Sequence, residues 1–237
     1  MGAPAWTLSF YNSTNIVVEN VKEISKQFNS DGIDICNSRN VRVDGGYFRV
    51  NDDEICLKTA KPASNVVSGN ITVQGVVIWN ERDFGLGITY ETRADMSHIL
   101  FQNCDVIHDT GRAALTVYLS DSGTMSDIRF DNIRFDNGAW QLILGQITSD
   151  QWGHDTERGH VKGLMFSNIA VSGHQMPPSA ILGADATHLI EDITFDHVTF
   201  NNAPETSLAK IRLHTNQFVS NVRCTAAPAV AAAALTP

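Results

Sequence analysis

Acidic side chains gather at one place in this sequence. The run Asn29-Ser30-Asp31-Gly32-Ile33-Asp34 opens one short apolar strand, and Asn51-Asp52-Asp53-Glu54-Ile55-Cys56-Leu57-Lys58 opens another. Asp31 and Asp52 stand 21 residues apart. Like charges packed together cost stability unless some hold a proton or the site has a use for them. Three convergent carboxyls suit cleavage of a glycosidic bond. Inversion at the sugar carbon needs one protonated acid on the leaving oxygen. A second carboxylate activates water on the opposite face, about 6.5–9.5 Å away. Crowding raises one pKa and so keeps a proton on the acid near neutral pH. A lone Asp-Asp pair reads as a turn or as ligands for a structural calcium. The register of Asn29, Asp31 and Gly32 with Asp52–Asp53 favours the catalytic reading.

Such convergence needs a scaffold that sets residues one short repeat apart side by side. One segment type recurs: alternating apolar residues around a central Asn, Gly or Asp. Asn15-Ile-Val-Val-Glu-Asn-Val, Asn70-Ile-Thr-Val-Gln-Gly-Val and Asp127-Ile-Arg-Phe-Asp-Asn-Ile are examples. Equivalent apolar positions fall at 16, 41, 71, 99, 128, 164 and 193. The longest step, from 128 to 164, implies an insertion centred on Ser149–His160, a polar stretch expected at a rim. A second strand series lies between, over 32–37, 55–59, 86–90, 113–119, 142–147, 180–184 and 208–213. Units of this length cannot bury their own apolar faces, but stacked on their neighbours they bury one continuous core. The expectation is an all-β right-handed parallel β-helix of about seven coils over residues 1–224. The Ala/Pro-rich stretch 225–237 is read as a tail. Asn at repeated positions reads as a turn former, with stacked ladders a further expectation. Leucine-rich repeats and β-propellers fail on unit length and strand number.

Composition agrees. Of 237 residues 43% are apolar and 18% charged, with 17 Gly, which suits a turn-rich β protein rather than a helical bundle. A net charge of -9 argues against a nucleic-acid partner and matches a long polyanion poorly. Cys36, Cys56, Cys104 and Cys224 fit neither a zinc pattern nor a disulfide framework, and read as small buried hydrophobes. His154, His160, His174, His188 and His197 form no metal-ligand pair, so no catalytic metal and no cofactor are expected. No apolar run is long enough to span a membrane. Met1-Gly2-Ala3-Pro4 lacks the basic end and apolar stretch of a signal peptide.

The two acidic runs, with Ile-Cys-Leu-Lys after the Asp pair, resemble glycoside hydrolase family 28, the polygalacturonases, and the layout matches over about residues 5–215. That resemblance implies Asp52 as general acid, Asp31 and Asp53 as the pair that holds and activates water, and a secreted or periplasmic protein. Two family motifs are altered. Arg82-Asp83-Phe84-Gly85-Leu86-Gly87 stands where the family has Gly-His-Gly, with Phe84 or Leu86 at the His position. Gly111-Arg112-Ala113-Ala114-Leu115-Thr116 stands where the family has Arg-Ile-Lys, the grip on a galacturonate carboxylate. Arg112 and Arg93 are the candidates to stand in. Loss of the basic clamp points to a neutral or otherwise different glycan, as taken by family 49, which includes dextranases. Few coils precede the first motif, and an uncapped end would favour weak self-association of an otherwise monomeric protein.

The expected substrate contacts are Asn29, Lys58, Asp83, Glu91, Arg93, His108 and Arg112, with Trp79, Trp140 and Trp152 as candidate stacking platforms. Two other functions compete: a polysaccharide lyase, which needs a Lys or Arg base and usually calcium, and a non-catalytic glycan-binding β-helix.

Overall fold

The computed structural model describes residues 3, 5–60, 67–136 and 140–225. The tail assigned to 225–237 lies outside them except for Thr225, which ends the strand Val219–Thr225 opposite Asp196. The chain alternates between two sheets. One has eight strands, running from Leu8–Tyr11 through Ile33–Cys36, Ile55–Thr59, Phe84–Thr92, Ala113–Leu119, Ile143–Ile147 and Ser179–Leu182 to Leu213–Thr215. The other stacks Thr14–Ile24, Arg39–Arg49, Ser68–Asn80, Met96–Gln102, Met125–Asp136, Val161–Ser172, Ile190–Asp196 and Val219–Thr225, with short strands at its margin. Each strand pairs in parallel with its counterpart one coil later. The result is an all-β solenoid of about seven turns, a parallel β-helix.

Register follows the sequence repeat. Ile16 pairs with Val41, Val41 with Ile71, Ile71 with Ile99, Ile99 with Ile128, Ile128 with Leu164 and Leu164 with Ile193. Two residues further along, Phe101, Phe130, Phe166 and Phe195 stack face to face at 4.8, 5.2 and 5.1 Å between ring centres. That pitch is the spacing between hydrogen-bonded strands, so the core is a set of columns.

The corners are equally regular. Asn15, Asn40, Asn70, His98, Asp127, Gly163, Asp192 and Asn221 all take positive φ, as do Asn20, Gly45, Gly75, Asn103, Asn132, Asn168 and His197. The left-handed region costs most residues roughly 1–2 kcal/mol, and least for Gly, Asn and Asp. These residues therefore recur because each coil must bend there. They also ladder: the Asn40 amide donates to Asn15 at 3.0 Å, Asn70 to Asn40 at 2.8 Å and Asn132 to Asn103 at 2.8 Å.

One expected strand is displaced. Residues 208–213 form a tight turn closed by the Leu213 amide on the Leu208 carbonyl, and the strand begins at Leu213. The apolar residues Leu208, Ile211 and Leu213 pack on the core from that turn, which is why the stretch reads as a strand.

Candidate active site

The acids sit where the first sheet's strands begin. Gly32 sets the closeness of the first two acidic strands: a Cβ there would lie 2.3 Å from the Glu54 carbonyl oxygen. With Gly, the Gly32 amide bonds the Asp53 carbonyl at 2.9 Å and the Ile33 amide bonds Glu54 at 3.1 Å. Asp31, Asp52 and Asp53 thereby line one cleft of about 400 Å³. Carboxylate oxygens of Asp52, Asp53 and Asp83 lie within 4.8 Å of one another, as do one oxygen each of Asp31 and Asp53 and the Cys56 sulfur. Such groups have the reach to hold a cation, although the ammonium described next already lies among the acids.

Lys58 projects from the second acidic strand into the cluster. Its Nζ lies 3.4 Å from Asp31, 3.2 Å from Asp34, and 3.8 Å from both Asp53 and Glu91. The Trp6 ring covers it at 4.1 Å. Lys58, expected to contact substrate, lines the cleft, but its side chain is only 4% exposed and is packed among the acids. Asp34, also buried, takes the Cys56 thiol at 3.0 Å. Its place in the Asn-Ser-Asp-Gly-Ile-Asp run is the signal that could have marked it.

One positive charge cannot neutralise so many acids in a dry site, and protons stay on. Burial, then Asp34 and Asp53, push the Asp31 carboxyl up to about 9. Burial also raises Asp53, to about 7; Lys58 works against this, and Asp83 and Asp52 add to it. Asp52 is raised by burial and by Asp83. For Lys58, burial favours loss of its proton, but the Cys56 thiol and then Asp53, Asp34 and Glu91 prevail and hold its pKa well above the ordinary value.

The environments of the three acids differ. Asp53 is 1% exposed, and its oxygens accept from the Phe84 amide at 3.3 Å and the Thr89 hydroxyl at 2.9 Å. Asp31 is 2% exposed; one oxygen faces Lys58, and the other has no protein partner. Asp52 is only partly buried, so its carboxyl is the one most open to the cleft.

A bulge brings in the next coil. Between Leu57/Ile88 and Thr59/Thr92 the strand Phe84–Thr92 carries two extra residues. Tyr90 there holds a φ of 51°, a conformation that costs an aromatic residue of order 1–3 kcal/mol. The bulge aims Thr89 at Asp53, Glu91 at Lys58 and the Tyr90 hydroxyl at both Asp83 oxygens, 3.0 and 3.1 Å away. Arg112 donates to the same hydroxyl at 2.7 Å, its guanidinium lying over the Phe84, Tyr90 and Tyr118 rings. Phe84 and Leu86, the two residues at the family's His position, are both buried, and Asp83 reaches the cleft beside them. Thr89 and Tyr90 escaped the sequence reading because a bulge cannot be read from period-2 alternation.

Of the expected contacts, Asn29, Lys58, Asp83, Glu91 and Arg112 line the cleft. Arg93 and His108 do not: Arg93 pairs with Asp155 at 3.0 Å, and His108 stacks on Trp79 at 4.6 Å. Trp152 reaches the cleft from the insertion, whereas Trp79 and Trp140 lie away from it. The four cysteines are free thiols, three of them buried. No helix among the described residues is long and apolar enough to cross a membrane.

Comparison with known proteins agrees with this layout. Polygalacturonase-2 of Solanum lycopersicum is 23% identical over 170 residues, covering 68% of this chain and 35% of that protein. The crystal structure of a hyperthermoactive exopolygalacturonase from Thermotoga maritima matches with a TM-score of 0.75 at 19% identity, over 93% of this chain and 50% of that one. That likeness shows a shared right-handed parallel β-helix fold. The chain thus spans half or less of the length of these relatives. The sequence model of glycosyl hydrolases family 28 matches residues 1–221, nearly the whole chain, and on that match the protein belongs to family 28.

Proposed function

We propose that the protein is an inverting glycoside hydrolase acting on a polysaccharide or its oligosaccharides outside the cytoplasm. Asp52 serves as general acid, and Asp31 and Asp53 together hold and activate the water, with Asp53 taking its proton. The observation that carries this reading is the division of labour in the cluster. The most open carboxyl, Asp52, is raised toward the protonated form, as an acid meeting the glycosidic oxygen must be. Asp53 is nearly inaccessible, and both its oxygens are engaged, which suits a base acting through a water and not a nucleophile attacking the sugar directly.

The nearest Asp52 and Asp53 oxygens approach within 4.8 Å, closer than the usual inverting separation of about 6.5–9.5 Å. Distance alone would favour retention through a covalent intermediate. Burial of Asp53 and Asp31 opposes that route, because a nucleophile must touch the anomeric carbon. Proton NMR of the first-formed product separates the two. Inversion gives the opposite anomer to the substrate linkage; an unchanged anomer would overturn the assignment. A reducing-sugar screen over plant and bacterial glycans, with Asp52→Asn as control, tests the activity itself. Release by the wild type and loss of at least about 100-fold in the variant is expected. Equal signals from the two would remove Asp52 from the chemistry. Persistent glycan binding with no hydrolysis in any preparation would make the protein a binding module.

The lyase reading has less support. It needs a basic side chain free to take a proton from the sugar, whereas Lys58 is buried among four carboxyls, Arg112 donates to Tyr90 and Arg82 lies over the Phe28 ring.

A further inference from the structure

We propose that Tyr90 is a positioning residue for the acid: its hydroxyl, backed by Arg112, fixes the negative charge of the Asp52–Asp83 carboxyl pair on Asp83, so that the proton of the pair stays on Asp52. This rests on the reading of Asp52 as general acid, and deepens it by naming what keeps that acid loaded.

Asp52 and Asp83 come from adjacent coils, and an oxygen of each lies within 4.8 Å of the other. Two carboxyls that close in a partly buried cleft favour one shared proton over two charges. Which of them keeps it decides whether the cleft holds a working acid. Their surroundings differ. Asp52 accepts the Asp53 amide at 3.2 Å and lines the cleft. Asp83 has the Tyr90 hydroxyl against both its oxygens, at 3.0 and 3.1 Å.

Arg112 sets the direction of that hydrogen bond. A guanidinium can only donate, and Nη1 of Arg112 stands 2.7 Å from the Tyr90 hydroxyl oxygen. The phenol oxygen is the acceptor there, so its own proton points at Asp83. A carboxyl that receives such a proton is favoured in its ionised form. Arg112 is itself held over the Tyr118 ring at 4.9 Å. Its Nη2 reaches the Tyr118 hydroxyl at 3.5 Å, and that hydroxyl donates to Asp150 at 3.1 Å. One cation thus turns two phenol protons onto two carboxylates.

The other charges around the pair do not choose between its members. Lys58 and Arg82 favour ionisation of Asp52 and Asp83 alike. Asp53 offers an oxygen within the same 4.8 Å of both, and Asp31 lies beyond it beside Lys58. The hydrogen bond from Tyr90 is made to Asp83.

The backbone supports the assignment. Tyr90 sits at φ 51° inside the two-residue bulge, where Gly or Asn would be less strained. Its ring packs on Phe84 at 5.5 Å and on Tyr118 at 5.3 Å, contacts that Phe would make equally well. The hydroxyl is what a tyrosine adds, and strain held beside a cleft points to a use for it.

The test reads the proton directly and needs no substrate. Carbon-13 NMR of protein labelled at the aspartate carboxyl carbons is followed against pH, with Asp52→Asn and Asp83→Asn spectra assigning the two signals. Where the wild-type pair holds one proton, Asp52 should carry about nine-tenths of it, the share given by a difference of about one pKa unit. In Tyr90→Phe, which keeps the ring, that share should fall to about half. A wild-type proton resting on Asp83, which needs no variant to detect, or shares unmoved in Tyr90→Phe, would overturn the proposal. Hydrolysis that depends on Asp52 together with a proton on Asp83 would defeat this proposal and leave the hydrolase reading standing. The expected shares in a protein whose Asp52→Asn variant releases reducing sugar from polygalacturonate as fast as the wild type would support the placement of the proton and defeat Asp52 as the acid.

Discussion

Lys58 brings one ammonium within 3.8 Å of four carboxyls, so the acids titrate as a group and not singly. Replacing it by Met leaves the acids crowded and uncompensated. A cost of about 3–5 kcal/mol is expected for losing one partner of a buried ion pair. Because Lys58 lowers the pKa of Asp31, Asp52 and Asp53, its loss raises all three, and the pH of maximal activity moves toward alkali. A thermal melt and a pH–rate profile of Lys58→Met check both outcomes. Asp83→Asn should act in the opposite sense. It removes a like charge that raises Asp52 and Asp53 but keeps an acceptor for Tyr90, so the profile moves toward acid. The three clustered aspartates and much of the cleft lining were legible in the sequence because they lie in short runs at fixed spacing. Lys58 was found at the cleft, but its pairing with four acids was not, since spacing cannot tell whether a long side chain reaches outward or folds onto its neighbours. Arg93 and His108 fall at suitable distances along the chain, yet each has a closer partner elsewhere, in Asp155 and Trp79.

The unit of this fold is the corner as much as the strand. Asn40 sits at φ 54° and joins two rungs of an amide ladder. Asn40→Ala should cost about 1–2 kcal/mol for the left-handed backbone, in addition to the lost bonds. Asn40→Gly, which keeps the backbone but not the ladder, should recover the larger share. Urea unfolding of the two variants separates the contributions, and equal losses would show that the ladder, not φ, sets the cost. Such corners made the solenoid readable: Asn, Asp and Gly recur at the same offset within each alternating segment, and the apolar positions pair in the register the repeat implies. The element that escaped is the bulge at Thr89–Glu91. Its residues look like ordinary strand residues, and only the lengths of the two neighbouring strands, compared in three dimensions, reveal the extra pair.

At the scale of the molecule, protons held by the buried acids link stability to pH. A carboxyl with a folded pKa above its unfolded value binds more protons in the folded state. Stability therefore falls as pH rises between the two values. With Asp31 at about 9 and Asp53 at about 7, the decline should run from about pH 4 to 9, added to self-repulsion from a net charge of -9. The melting temperature should be lower at pH 9 than at pH 5, and Asp31→Asn should flatten the difference. A melting temperature that rises toward pH 9 would mean that the carboxyls are ionised in the folded protein.

Each coil touches chiefly the coils before and after it, so opening at one end of the stack need not involve the other. The cleft interrupts that independence, since its walls come from successive coils of the first sheet between Asp31 and Trp152. An oligosaccharide lying along it would fasten those coils to one another like a splint. Occupancy should slow amide hydrogen exchange throughout strands 33–36, 55–59, 84–92 and 113–119, while strands 190–196 and 219–225 exchange at their unliganded rates.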